Sequence, residues 1–178
     1  MALAMARAPR PPENVELPPS GEPFTGPPQG ANAKIVAIYE YWRRIAPGAG
    51  LLPGRRHLDP ADIPKLLPNV WLVDVVGTPA RFRTRLVGTA LQQAGIPLSP
   101  GVFMDDAVPQ ELKETLLSRL RHVAASRQPQ WRRGRPYLPH TTEVFEIERI
   151  FLPLAADGRT VDMLLNLSVL YESSGKEW

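Results

Sequence analysis

Residues 70–87 read Val70-Trp71-Leu72-Val73-Asp74-Val75-Val76-Gly77-Thr78-Pro79-Ala80-Arg81-Phe82-Arg83-Thr84-Arg85-Leu86-Val87. The first seven form an almost unbroken apolar, β-branched run, which predicts a largely buried strand. Gly77-Thr78-Pro79 breaks it with turn chemistry. The next seven alternate, with Phe82, Thr84 and Leu86 on one side and Arg81, Arg83 and Arg85 on the other, the period-two signature of a second strand. This hairpin fixes the start of a sheet, and the rest of the chain must supply its partners.

Downstream of Gly88, Ala90 to Ala94 suits a helical turn ending at Gly95, and a Pro- and Gly-rich loop continues through Asp106. A helix is predicted from about Pro109 to Ser126, with Leu112, Leu116, Leu120 and Val123 on its apolar face. Three strands are predicted after it. Gln130 to Leu138 reads as an edge strand, because Gly134 and Pro136 cannot serve a central ladder. Glu143 to Leu154 alternates, placing Phe145, Ile147, Arg149 and Phe151 on an interior face, with Glu146 and Glu148 opposite. Asp157-Gly158 is a hairpin signal, and Thr160 to Tyr171 returns with Val161, Met163, Leu165, Leu167 and Val169 on one face. Hairpin, helical crossover and three-strand meander together predict an α+β domain: a five-stranded, mostly antiparallel sheet with helices on one face.

Upstream, Asp59 before Pro60 is a cap followed by a first-turn proline, opening a short helix interrupted by Pro64 and Pro68. An extra N-terminal helix is predicted from Asn32, with Ile35, Ile38, Tyr39, Trp42 and Ile45 in one stripe. Pro47-Gly48 ends it. That stripe must face either its own domain or a second copy of the chain. Eight of the twenty-one prolines fall in residues 1–30, with too little apolar surface to offset ordering entropy. The expected organisation is a disordered tail over 1–31, the N-terminal helix and short helix over 32–68, and the core over 69–172.

The chain has 178 residues, a net charge of +3 and no cysteine. The missing cysteines exclude disulfides, thiolate catalysis and cysteine-ligated metals. No run approaches the ~20 apolar residues of a membrane span, and Met1 to Ala6 is too short for a signal-peptide core. A cytoplasmic, soluble domain is expected, with no membrane partner. Arginine outnumbers lysine 17 to 4, a bias that dilutes the meaning of any single arginine cluster.

Tyr41-Trp42, Leu52-Pro53-Gly54-Arg55, Asp59-Pro60 with Ile63, Leu67-Pro68, and Arg85-Leu86-Val87-Gly88-Thr89 follow one another in an order that resembles a PAS-type domain family common in alphaproteobacteria. The resemblance covers roughly residues 36–171. Two departures are His57, where an acidic residue is usual, and Ser99-Pro100-Gly101 in place of Thr-Gly. The resemblance implies a sensory or interaction module. Such a module often holds a small molecule between sheet and helices and dimerises through the helix before the first strand. No kinase, cyclase or helix-turn-helix output segment is legible, so a signalling protein partner is expected to carry any output.

The candidate ligand-binding residues are Trp71, Arg85, Thr89, Phe103, Leu116, Leu120, Arg149 and Met163. Apolar side chains with a few polar groups are what ligand sites use, and they are equally what a plain core uses. Arg149 among Phe145, Ile147 and Phe151 is either an anion-binding arginine or an internally paired one. Arg85 with Thr89 either holds an anion or is a solvated strand residue. Ile35, Ile38, Tyr39, Trp42 and Ile45 form the candidate dimer interface of a homodimer. The sequence names no cofactor. A second reading uses Trp131, Arg132, Arg133 and Arg135 to bind nucleic acid or an acidic partner, a ring for stacking beside charges for phosphate. Glu143, Glu146 and Glu148 on the neighbouring strand oppose it. Catalysis is not expected: His57, His122 and His140 lack metal-ligand or triad spacing, and Asp105-Asp106 sits where helix-capping carboxylates belong.

Overall fold

The structure is a computed structural model that describes residues 15–16, 24–107, 110–136 and 143–178. Most of the proline-rich tail, Pro109 and residues 137–142 with His140 lie outside the described residues, as does the side chain of Leu112. The strands are β1 (Val15–Glu16), β2 (Val70–Val76), β3 (Arg81–Val87), β4 (Gln130–Gly134), β5 (Glu146–Leu154) and β6 (Met163–Tyr171). The helices are α1 (Ala33–Arg44), α2 (Thr89–Gln93), α3 (Met104–Ala107) and α4 (Gln110–Ser126). The sheet runs β1-β4-β5-β6-β2-β3, and every neighbouring pair is antiparallel. β2 therefore pairs with the C-terminal strand, Trp71 opposite Asn166 and Leu72 opposite Leu165. The hairpin, crossover and meander of the sequence reading close into one sheet.

Helices α2 to α4 cover one face. Trp71, Val73, Phe82, Leu91, Leu116, Leu120, Ile147, Phe151 and Leu164 pack there into one buried cluster. The extra helix α1 covers the opposite face, where Ile35, Ile38, Tyr39 and Tyr41 meet Leu72, Ile150, Leu152, Leu165 and Leu167. Two expectations change as a result. Ile35, Ile38 and Tyr39 are buried against the chain's own sheet, so the stripe proposed as a dimer interface is already occupied. Trp42 and Ile45 are half-buried on that same layer, and Trp42 Nε1 donates to Pro153 O at 2.9 Å. The physical reason lies in β6: all nine of its residues are buried, and a strand apolar on both sides needs two covering layers.

Met163 is the second correction. With Leu165, Leu167 and Val169 it faces α1, whereas Leu164 and Leu170 face the α4 side. Side chains alternate along a strand, so Met163 cannot line a cavity shared with Leu116. Leu86 differs for another reason. A register shift between Leu72 and Val73 inserts an extra residue in β3, and past this bulge Leu86 turns outward, 44% exposed.

Within the segment expected to be a disordered tail, Val15 and Glu16 pair with Arg133 and Arg132 on the edge of β4. An unpaired edge offers a row of backbone donors and acceptors to any extended segment. Prolines lie on either side of these two residues but not at them, so their N–H groups remain available.

The short motifs turn out to be places where backbones touch. Gly88 donates its N–H to Val70 O at 2.7 Å, and a Cβ there would stand 2.3 Å from Pro68 O. Leu67-Pro68 and Gly88-Thr89 thus belong to one joint. Leu52 N–H donates to Gly158 O and Ala155 N–H to Pro53 O, both at 2.9 Å. A Cβ on Gly54 would come 2.9 Å from Ala155 O, so Leu52-Pro53-Gly54 clamps the β5–β6 turn. Asp59 caps the turn Pro60–Asp62 through its side chain, as its position before Pro60 requires.

Candidate functional site

Between the sheet and helices α2 and α4 lies an internal cavity lined by Trp71, Leu91, Ile96, Leu98, Leu116, Ile147, Arg149 and Ser168. Its volume is about 20 Å³, room for about one water by the ~10–15 Å³ minimum such a site needs. Trp71, Leu116 and Arg149 of the eight candidate ligand residues meet here. Leu120 is fully buried in the surrounding cluster.

The other candidates lie elsewhere. Arg85 is exposed and shares Asp74 with Arg83, at 3.2 Å each. Thr89 is exposed at the start of α2. Phe103 is half-buried under Arg81, whose guanidinium sits 4.0 Å from the ring centre, and forms an isolated bridge with Arg83. Asp105 and Asp106 pair with Arg81 at 2.8 and 3.2 Å. The Arg81 hydrogen bond holds the Asp105 carboxyl below its ordinary range.

Cavity polarity comes from β5 and β6. Trp71 Nε1 donates to Ser168 Oγ at 3.1 Å, and the Trp71 ring meets Phe151 edge-on at 6.1 Å. Arg149 stands opposite Ser168 in β6 and opposite Arg132 in β4, and both arginines are buried. Arg132 Nη1 donates to Arg135 O at 3.1 Å. Asn166 is fully buried, with Nδ2 directed at Trp71 O and Leu164 O at 3.4 and 3.3 Å.

A second polar cluster, on the α1 side, escaped the sequence reading. Glu148 is fully buried. Its Oε1 accepts from Asn32 N–H at 3.0 Å and Trp131 Nε1 at 2.9 Å, and its Oε2 accepts from Tyr171 OH at 2.9 Å. Arg133 stands 3.8 Å away and lies over the Tyr171 ring at 4.7 Å. Asn32 is also the α1 cap, its side chain accepting from Lys34 N–H at 2.8 Å and donating to Tyr171 OH at 3.1 Å. Burial, with the Glu148 hydrogen bond, pushes the Tyr171 phenol up to about 12. One carboxylate thereby fixes the start of α1 to strands β4, β5 and β6. Nearby, Lys34 pairs with Glu177 and donates to Asn69 Oδ1 at 3.1 Å. Asn69 Nδ2 donates to Ser168 O at 2.9 Å, so a polar path joins α1 to the strand that walls the cavity.

These contacts remove the nucleic-acid reading. Trp131 is buried with its N–H on Glu148, and Arg132 is fully buried. Arg133 pairs with Glu146 at 2.9 Å. A ring inside a core cannot stack on a base, and the charge of Arg133 is neutralised across the sheet as Glu146 and Glu148 suggested.

A family model for the PAS domain matches residues 31–168. No curated protein and no solved structure matches the chain. Among the described residues, no helix is long and apolar enough to cross a membrane.

Proposed function

The chain belongs to the PAS domain family, and from that premise we propose that it works as a sensory or interaction module whose output passes through protein contacts rather than through a cofactor held in its core. The observation that carries this reading is the closed interior. A cavity of about 20 Å³ is far below the ~300–1,000 Å³ of a typical small-molecule site. What the core does possess is a mechanical connection. Ser168, Asn69 and Lys34 tie its wall to one side of α1, and Glu148 ties the sheet to the α1 N-terminus. A change in core packing would be felt where α1 docks.

The partner surface in this reading is the outer side of α1, in a homodimer. Val36 is 41% exposed there, beside a surface groove of about 700 Å³ lined by Ala37, Tyr41, Ile63, Pro64 and Leu66. Glu40, Arg44, Asp62 and Lys65 rim the groove. Two acids and two bases around an apolar centre are self-complementary under the two-fold symmetry of an isologous contact.

Native mass spectrometry of the freshly purified full chain tests both halves. The expected spectrum shows a dimer with the mass of two polypeptides and no retained small molecule. Ala37→Arg, an exposed substitution in the groove, should yield a monomer with an unchanged melting temperature. A retained organic ligand would overturn the closed-core half, and a dimer undisturbed by Ala37→Arg would overturn the surface assignment.

A further inference from the structure

At the end of the sheet remote from the α1 N-terminus, the β2–β3 turn, the last turns of α4 and the β5–β6 turn surround a groove of about 540 Å³. Its floor and walls are small and apolar: Val75, Gly77, Ala80, Ala124, Ala125 and Val161. Arg121 and Arg127 from the end of α4 and Arg159 from the β5–β6 turn also line it, and no carboxylate does. Their charges are poorly compensated. The Arg159 guanidinium has no partner among the described residues. Arg121 reaches Glu114 at 3.0 Å, but that glutamate is 81% exposed and an exposed pair is screened by solvent. Arg127 Nη2 donates to two carbonyls, Gly50 O at 3.2 Å and Gly158 O at 3.4 Å, which orient the guanidinium without neutralising it. The nearby Asp157 carboxylate accepts from Arg159 N–H at 2.8 Å and Thr160 N–H at 2.7 Å, so it is engaged in its own turn.

A second observation singles out Arg127. Its φ is +59°, the left-handed conformation that commonly ends a helix and that glycine adopts without cost. Its N–H closes the helix onto Val123 O at 3.0 Å. An arginine held at a position suited to glycine keeps its side chain at a backbone cost, and such outliers collect at functional sites.

We infer that this groove binds an organic anion, a carboxylate or phosphate group carried on a short apolar body. The three guanidinium groups supply charge-assisted donors to the anionic end. The alanine and valine floor offers apolar surface to the other end, and the volume lies within the range of small-molecule sites. This site lies outside the α2–α4 core and is independent of the α1 surface.

Phenyl phosphate is a suitable probe, titrated into the isotopically labelled full chain and followed by amide chemical shifts, with inorganic phosphate in parallel. Phenyl phosphate should shift Ala124, Ala125, Thr160 and Val161. Inorganic phosphate, lacking the apolar half, should bind about ten-fold more weakly. Arg159→Gln should weaken phenyl phosphate about ten-fold, the loss of one charge-assisted bond. Arg127→Gly should weaken it similarly while leaving the melting temperature unchanged or raised, a split that a purely structural arginine would not give. No shift of these four residues by about 10 mM probe, beyond the range expected for so small a ligand, would overturn the inference. So would shifts undiminished in both variants, or inorganic phosphate binding as tightly as phenyl phosphate.

Discussion

The two faces of the sheet are built from the same strands and solve different problems. On the α4 side, apolar side chains interlock around a cavity of about 20 Å³, and Trp71 with Ser168 forms a small hydrogen-bonded element within it. On the α1 side, an equally apolar layer contains a fully buried carboxylate that accepts three hydrogen bonds from three segments of the chain. Packing fills the first face and tolerates volume-conserving change. The second depends on one atom group in one place, because removing one partner strands several buried donors. The difference teaches that the polar joint, more than the cavity, decides where α1 sits.

The largest effect should follow from breaking that joint. Glu148→Ala leaves Asn32 N–H, Trp131 Nε1 and Tyr171 OH without their acceptor, beside Arg133. A loss of about 3–5 kcal/mol is expected, the scale for breaking a buried pair, measurable by urea denaturation. A loss below about 1 kcal/mol would erase the contrast between the faces. Next comes Leu116→Ala, which enlarges the cavity on the α4 side. About 3 kcal/mol is expected, from lost transfer energy and residual void. A near-neutral result would mean that this side is looser than its cavity volume implies.

Smaller effects sharpen the comparison. Trp42→Phe keeps an aromatic ring against Tyr39 but removes the hydrogen bond to Pro153 O. About 1 kcal/mol is expected, and faster hydrogen exchange should be confined to α1. The smallest is a pH effect. Burial raises the Tyr171 phenol to about 12 from its unfolded value near 10. A raised folded value means that this stability is complete below about pH 10 and declines as pH rises towards about 12. Tyr171→Phe should flatten the fall in melting temperature across that window relative to the parent chain. An equally steep fall in the variant would place the pH dependence elsewhere.

Much of the fold was legible because its signals are local. The turn at Gly77-Thr78-Pro79, the Asp157-Gly158 hairpin, the Asn32 cap and the alternation through Ile147, Arg149 and Phe151 each follow from backbone chemistry within a few residues. Phe145, expected on that interior face, instead precedes β5 and is half-buried outside both core clusters. What escaped depends on partners distant in sequence. β6 looks alternating when only Met163, Leu165, Leu167 and Val169 are counted. The intervening Leu164 and Leu170, with Asn166 and Ser168 between them, make it two-sided, and that demanded a second layer. Once α1 supplies the layer, Ile35, Ile38 and Tyr39 of its stripe are buried against the chain's own sheet, and Glu148 passes from an expected outward face into the interior. Arg85 and Thr89 are close in sequence, yet Arg85 lies on the exposed side of edge strand β3 against Asp74 and Thr89 is exposed at the start of α2. Phe103, expected among the cavity residues, sits under Arg81. Trp131 looked like a stacking ring beside three arginines because its acceptor, Glu148, lies on another strand.

Hydrogen exchange read by mass spectrometry tests the central claim most directly, comparing α1 with β5 and β6 in the full chain and in Glu148→Gln. The account expects residues 33–44 of the parent chain to be protected almost as strongly as the two central strands. In the variant, protection should fall across α1 by at least about ten-fold while β5, β6 and α4 change little. Free exchange of α1 in the parent chain, or an unaltered α1 in the variant, would contradict it.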